Sequence, residues 1–275
     1  MLWRLLPFGR RDAFENMAID EAILRVNRIK ETPTLRLYGW SSPAVSLGYF
    51  QDVKKEVDID ACHRRRIHIV RRPTGGKAVL HDGDLTYAVI ARDSNPLFPA
   101  DILGTYRVIS DCIAGGLALL GIAAHMAGKS RALDGDSLKA SCFSSPSQYE
   151  LLVKDRKICG SAQVRSHGVF LQHGSILMDF DPYKTCDVML PHSENYEAQV
   201  FRMKQAVTSV IEHTDSPMDI SVVCCKLMKG FERTLGIDLA PGILSPEEEE
   251  LKTHLLESKY MNIKWNMEGG CKAWL

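Results

Sequence analysis

The sequence predicts an α+β fold: a mixed β-sheet core flanked by helices, with a helical C-terminal segment. Three observations carry that prediction. Short apolar runs of strand length alternate with longer runs of helical spacing. Strand-type runs at 148–153, 157–164 and 169–178 follow one another with only Asp155-Arg156 and His167-Gly168 as reversals. The last third then turns to helical periodicity, at about 183–190, 196–212, 218–234 and 246–258.

Each element has its own warrant. A strand at 2–7 precedes a helix opening at Asp12, where Glu15 three residues on gives the spacing of a capping box. Phe14, Met17, Ala18 and Ala22 recur at helical spacing there, and a core-packing role is predicted for that helix. Strands follow at 33–39 and 44–49, then a short polar helix at 58–66 whose basic run 63–66 reads as a solvated face. A second long helix covers 101–120, with Tyr106, Ile109, Ile113 and Leu117 as its apolar stripe, Cys112 inside it and Gly121 as its stop. Residues 127–141, rich in Gly, Ser, Lys and Asp, read as a loop. The acidic run at 247–250 suits the first turn of a helix, where the dipole favours negative charge. A core at 1–215 with a C-terminal helical extension at 216–275 packed on it is the expected domain organisation.

Composition narrows the class. Apolar residues make 45% and charged residues 25% of the 275, values of an ordinary globular chain long enough to bury a core. Lys+Arg and Asp+Glu both count 34, which excludes nucleic-acid binding driven by bulk charge. Apolar runs fall short of the ~20 residues of a bilayer span, and the first seven residues are too short and too soon charged for a signal peptide. A cytoplasmic protein with neither nucleic-acid nor membrane partners is expected. Eight cysteines occur without a Cys-x-x-Cys pair, so reduced thiols are expected and no metal site.

The densest chemistry lies in three cassettes. The first is Arg71-Arg72-Pro73-Thr74-Gly75-Gly76-Lys77-Ala78-Val79-Leu80-His81-Asp82, flanked by apolar runs. It reads as strand, tight glycine turn, strand. Paired glycines allow close backbone approach to a ligand, and the cations suit phosphate or carboxylate; an ordinary hairpin with surface arginines is the alternative. The second is Ser141-Cys142-Phe143-Ser144-Ser145-Pro146-Ser147-Gln148-Tyr149-Glu150. The third is Lys157-Ile158-Cys159-Gly160-Ser161-Ala162-Gln163, with His173-Gly174-Ser175 on the next strand. Cys142, after a loop and before a strand, is either a reachable nucleophile or a small semi-buried residue. Lys157, opening the neighbouring strand, would favour its thiolate and could hydrogen-bond an acyl oxygen. Cys159, two residues from Lys157 and so on the same strand face, is the competing nucleophile or a packing thiol. Gly160, Ser161 and Ala162 leave room for a ligand or for tight sheet packing. His81 is a base, a ligand-orienting group or a structural residue. Cys112 reads as core, Cys62 and Cys271 as peripheral, and Cys224 and Cys225 cannot both face inward.

Asn16-Met17-Ala18-Ile19-Asp20-Glu21-Ala22, Arg71-Arg72-Pro73-Thr74-Gly75-Gly76, Val79-Leu80-His81-Asp82 and Lys157-Ile158-Cys159-Gly160-Ser161-Ala162-Gln163 together resemble the biotin/lipoate protein ligase superfamily, over nearly the whole chain. Cys142-Phe143 with Pro146-Ser147-Gln148-Tyr149-Glu150 is most similar to its cysteine-dependent octanoyltransferases of lipoate assembly. A basic residue, Lys77, stands where the ATP-using ligases usually have a third glycine, and Tyr149-Glu150 where they show Asn-Asp. Lysine at 77 also departs from the arginine expected of the transferases, and Cys159 from a small residue.

The resemblance implies a class II synthetase-like, biotinyl/lipoyl protein ligase-like fold. It implies transfer of octanoyl from octanoyl-acyl carrier protein to a lysine of the glycine-cleavage H protein or another lipoyl domain, without a cofactor. In this reading Cys142 is the nucleophile and Lys157 its partner. Arg72, Gly75, Gly76 and His81 wall an acyl tunnel opposite Gly160, Ser161 and Ala162, and His173 joins the substrate-binding set. A monomer is expected. Three readings compete: an ATP-dependent lipoate ligase, an octanoyl amidotransferase between lipoyl domains, and a catalytically inert lipoyl-domain binding protein.

Overall fold

The computed structural model describes residues 1–127, 150–190, 195–215 and 217–269. The chain runs β1 (Leu2–Arg11), α1 (Ala13–Val26), β2 (Thr34–Trp40), β3 (Ala44–Leu47), α2 (Val53–Glu56), α3 (Ile59–Arg64), β4 (His68–Arg71), β5 (Val79–His81), β6 (Leu85–Arg92), α4 (Ile102–Ala118) and β7 (His125–Met126). It continues through β8 (Leu151–Val153), β9 (Arg156–Ser166), β10 (Val169–Ile176), α5 (Pro182–Val188), α6 (Tyr196–Ala206), α7 (Ile220–Leu235), β11 (Asp238–Pro241), α8 (Pro246–Leu255) and α9 (Ile263–Glu268). Among the described residues, eight strands form one mixed sheet in the order β11-β1-β2-β6-β10-β9-β8-β7, and three form a second in the order β4-β3-β5. The predicted α+β class, with a mixed sheet flanked by helices, is the observed one.

Strand alternation splits the large sheet cleanly. Leu35, Leu37, Leu85, Tyr87 and Val89 point to one face, where α4 and α7 cover them with Ile109, Ile113, Leu227 and Phe231. Tyr38, Trp40, Ala88 and Ile90 point to the other, packed by Met17, Ala18 and Ala22 of α1 and by Tyr260 and Trp265. Period 2 in the strands meets period 3.6 in the helices, so each apolar set has one face to occupy. The α1 stripe therefore does pack the core. Its Asp12 cap accepts from the Glu15 backbone N–H at 2.8 Å, half of the predicted box. The full box stands at α8, where Ser245 and Glu248 cap each other. Gly121, with φ +80°, follows α4 as predicted, and residues 63–66 are exposed.

Four expectations are corrected. The glycine cassette is not a hairpin: β4 lies parallel and β5 antiparallel to β3, so the turn crosses from one edge of the small sheet to the other. The C-terminal segment is not helical throughout: β11, between the helices predicted at 218–234 and 246–258, pairs parallel with β1 at the sheet edge; four residues are too few to show a period. The helix predicted to 212 ends at Ala206, where Val207 forms a bridge with Lys157. Cys62 is fully buried in the core of the small sheet.

Among the described residues no helix is long and apolar enough to cross a membrane. Among the same residues no three His, Cys, Asp or Glu side chains gather as a metal site would require.

Candidate active site

A cavity of about 330 Å³ lies between the small sheet and the α1-covered face of the large one. Arg72, Gly75, Gly76 and His81 line it from the turn side, and Lys157, Gly160, Ser161, Ala162 and His173 from β9 and β10. Met17, Tyr38, Trp40, Leu177 and Phe180 supply apolar wall. The cassettes are separate in sequence; β9 and β10 bring the third to one wall, the glycine cassette lies opposite, and of the second only Glu150 is among the described residues. Cys142 lies outside the described residues.

Arg72 builds the turn wall. Its Nη1 donates to the Ser46 carbonyl (2.9 Å) and Oγ (3.2 Å), and Nη2 to the Gly75 and Lys77 carbonyls (2.7 and 2.8 Å). Nε donates to Thr74 Oγ1 at 3.1 Å. Gly76 sits at φ +87°, and a Cβ there would lie 2.8 Å from Arg72 Nη2. The turn thus closes over a guanidinium that only glycine admits. Arg71 faces away from the cavity and is fully buried, donating to the carbonyls of Gly48, Gln51, Trp265 and Asn266. Both arginines of the cassette therefore hold backbone oxygens of the protein itself.

Two buried histidine–aspartate pairs stand behind this wall. His81 Nδ1 meets Asp84 Oδ2 at 2.9 Å and its Nε2 meets Ser46 Oγ at 2.9 Å, with Trp40 stacked on the ring at 3.9 Å. Asp84 Oδ2 also accepts from Ser175 (2.6 Å) and Thr86 (3.0 Å). Burial raises the Asp84 carboxyl, but His81 and the two hydroxyls outweigh this and hold it below the usual value. His173 Nδ1 meets Asp20 Oδ2 at 3.1 Å and Nε2 meets Thr74 Oγ1 at 2.7 Å. Burial pushes the His173 pKa down, against the pull of Asp20. A neutral ring donating to the carboxylate leaves Nε2 to accept from Thr74, whose oxygen accepts from Arg72. Asp20 in turn takes Arg36 Nη1 at 2.6 Å and Tyr38 OH at 2.9 Å. Burial raises its pKa as well, but Arg36 and His173 hold it low. Both chains of hydrogen bonds end on Arg72.

The opposite wall carries Lys157. Its Nζ donates to Glu150 Oε1 at 2.7 Å across the β8–β9 hairpin. A Cβ at position 160 would lie 2.8 Å from Lys157 Cε, so Gly160 makes room for the lysine stem. A register shift corrects the expectation that Lys157 and Cys159 share a face. Leu151 pairs with Cys159 but Leu152 with Lys157, leaving Ile158 as the extra residue of a bulge. Alternation is broken there, and Ile158 and Cys159 both enter the core under α4. Cys159 is fully buried, and burial pushes its thiol up to about 12, the state of a packing cysteine. Ser161 turns its hydroxyl to Tyr87 OH at 2.7 Å.

Sequence reading passed over Glu150, Thr74, Asp84 and Asp20 as individual site residues. Glu150 was in view as the end of the second cassette, and Asp20 within the motif Asn16-Met17-Ala18-Ile19-Asp20-Glu21-Ala22. Thr74 and Asp84 carried no separate signal.

Residues 12–232 match the lipoyl protein ligase A/B catalytic domain. The chain belongs to that family. Octanoyltransferase LipM of Bacillus subtilis is a relative 41% identical over 270 residues, covering 96% of this chain and 97% of that protein. Among solved folds of the same kind, a T. acidophilum protein with bound lipoic acid superposes with TM-score 0.81 at 29% identity, over 98% of this chain and 99% of that one. A bi-partite lipoate protein ligase, described with its E2 lipoyl domain from Thermoplasma acidophilum, gives TM-score 0.82 at 28% identity over 96% and 95%. The lipoyl ligase A/B fold is thus the frame in which this cavity sits.

Proposed function

We propose that the chain is an octanoyltransferase of lipoate assembly. The donor is octanoyl-acyl carrier protein and the acceptor a lysine of the glycine-cleavage H protein or another lipoyl domain. The 41% identity to an octanoyltransferase along nearly the full length of both chains is the observation that carries this reading. The cavity supports it physically. Met17, Trp40, Leu177 and Phe180 offer apolar wall to an eight-carbon chain, and each buried methylene contributes roughly 0.8 kcal/mol.

Two displacements make up the reaction. The Cys142 thiolate attacks the thioester carbonyl, the tetrahedral oxyanion collapses, the carrier's thiolate leaves, and octanoyl-Cys142 forms. The ε-amine of the acceptor lysine then attacks that carbonyl, Cys142 leaves as thiolate, the amine sheds a proton, and an amide remains. The charge on Lys157 favours the thiolate and donates to the oxyanion, while Glu150 fixes the lysine head. Residues 1–215 form the catalytic core of a cytoplasmic monomer and 216–275 an extension packed on it.

Intact-protein mass spectrometry after mixing with octanoyl-acyl carrier protein, without ATP, tests this. A hydroxylamine-sensitive octanoyl adduct on Cys142 is expected. An unmodified protein that acylates a lipoyl domain only with lipoate and ATP would replace the reading with a ligase.

A further inference from the structure

One exposed surface has a composition the cavity does not account for. α6 buries Gln199, Val200 and Met203 and turns Phe201, Arg202, Lys204 and Gln205 outward. Phe201 is 63% exposed, the one apolar side chain among the outward residues of α6. Lys204 lies over the Tyr183 ring at 4.6 Å and donates to its hydroxyl at 3.3 Å, and Tyr183 is itself 44% exposed. The patch is two aromatic rings with two cations.

Among the described residues, the acids beside it are engaged elsewhere or stand at its far end. Asp187 pairs with Arg65 and accepts from Tyr196 OH at 2.6 Å. Glu212 pairs with Arg156 at 2.7 Å. Asp181 caps α5, and Glu197 lies in the first turn of α6.

The patch is coupled to the cavity by backbone. α6 runs directly into Val207, which bridges Lys157, and the Thr208 N–H donates to the Lys157 carbonyl at 2.8 Å. At about 1.5 Å of rise per residue, Phe201 stands roughly 9 Å along the helix from that bridge. α5, which carries Tyr183 outward, places Thr185 in the cavity wall.

We propose that the outward face of α6, Phe201 with Arg202 and Lys204 and with Tyr183 beside them, is the docking surface for an acidic helix of the acyl-carrier donor. The proposal rests on the acyl-transfer reading above. The two cations of the patch call for an acidic partner surface, and a carrier that presents its thioester on an arm attached through a phosphodiester adds a phosphate between that surface and the thioester. Lys204 lies nearer than Phe201 to the Lys157 end of the helix, where such a phosphate would pass. A lipoyl-domain lysine carries no phosphate and makes no call on a cation there. The aromatic ring supplies the apolar anchor and the cations supply steering and register.

The test is steady-state kinetics on Phe201→Ala, Arg202→Glu and the conservative Arg202→Lys, with octanoyl-acyl carrier protein and a lipoyl domain varied in turn. Both sites are exposed, so the fold is retained. Phe201→Ala and Arg202→Glu are expected to raise KM for the carrier about tenfold, with kcat and the lipoyl-domain KM unchanged. Arg202→Lys is expected to recover most of the loss, and Arg202→Glu to flatten the salt dependence of the donor KM. An unchanged donor KM, a fall in kcat alone, or a rise confined to the lipoyl-domain KM overturns the docking surface while leaving the acyl-transfer reading intact. Absence of ATP-independent transfer by the unsubstituted protein overturns both.

Discussion

The two walls of the cavity are built on opposite principles. The turn wall is a stretch of irregular chain held by a buried guanidinium that reaches the carbonyls of Ser46, Gly75 and Lys77, backed by His81–Asp84 and His173–Asp20. The strand wall is regular β-structure that needs no such brace; its one irregularity, the bulge at Ile158, sets Lys157 toward the cavity and Cys159 away from it. Loops that carry function need fixing from outside, whereas strands are fixed by their own ladder. Substitutions on the turn wall should therefore damage stability and substrate binding, and substitutions on the strand wall should damage turnover.

The largest effect sharpens that contrast from the strand side. Cys142→Ala is expected to remove transfer altogether, and Lys157→Ala to lower kcat by on the order of 10²–10³, as loss of one oxyanion donor does, with little change in the denaturation midpoint. Single-turnover formation of the octanoyl adduct measures both; full activity in either variant would end the mechanism.

Next comes the turn wall. Arg72→Ala leaves several carbonyls of the turn unpaired and is expected to destabilise by roughly 3 kcal/mol, with a raised KM for the octanoyl donor. Urea denaturation and kinetics check the two parts. A stable Arg72→Ala protein with only kcat reduced would erase the difference between the walls.

Acid should act on the groups that brace the turn wall. The folded pKa of His173 lies below its ordinary 6.5, because burial disfavours the imidazolium. The unfolded chain therefore binds the extra proton first. The stability contributed by the neutral ring is whole above about pH 6.5 and is lost as pH falls toward the folded value, by up to about 1.4 kcal/mol per pH unit. Asp20 and Asp84, held below their ordinary 3.8, lose their contribution only below that pH. Denaturation curves between pH 8 and pH 5 should show the first slope, and His173→Gln should flatten it.

The smallest effect belongs to Cys159. Cys159→Ala is expected to keep kcat and to lower stability by about 1 kcal/mol, the scale of a small core truncation. A thiol pushed up to about 12 should also resist iodoacetamide in the native protein. Rapid native alkylation of Cys159 with loss of activity would reverse its placement in the core.

Local chemistry was readable wherever neighbours in sequence decide it. Asp12, the stripe of α1, Gly121 and the acidic first turn of α8 follow from the hydrogen-bonding, electrostatic and steric needs of a helix end or face. The alternation of Leu35, Leu37, Leu85, Tyr87 and Val89 follows from the two-residue period of a strand. The glycine pair, His81, Lys157 and His173 announced themselves by residue type. Their meeting around one cavity did not follow from spacing, because β5, β9 and β10 belong to two different sheets.

What tertiary structure alone decided is which way these groups face and what they touch. The bulge that parts Lys157 from Cys159 depends on how β8 registers against β9, a long-range packing choice invisible in a run of seven residues. The engagement of Arg71 and Arg72 by carbonyls from as far as Trp265 and Asn266 exists only once the chain has folded back on itself. The edge strand β11 is a strand only because β1 is there to pair with it. By itself, the sequence determined the elements and the chemical inventory, since those rest on local sterics and periodicity. Orientation, burial and partnership rest on contacts between distant residues, and only the fold supplied them.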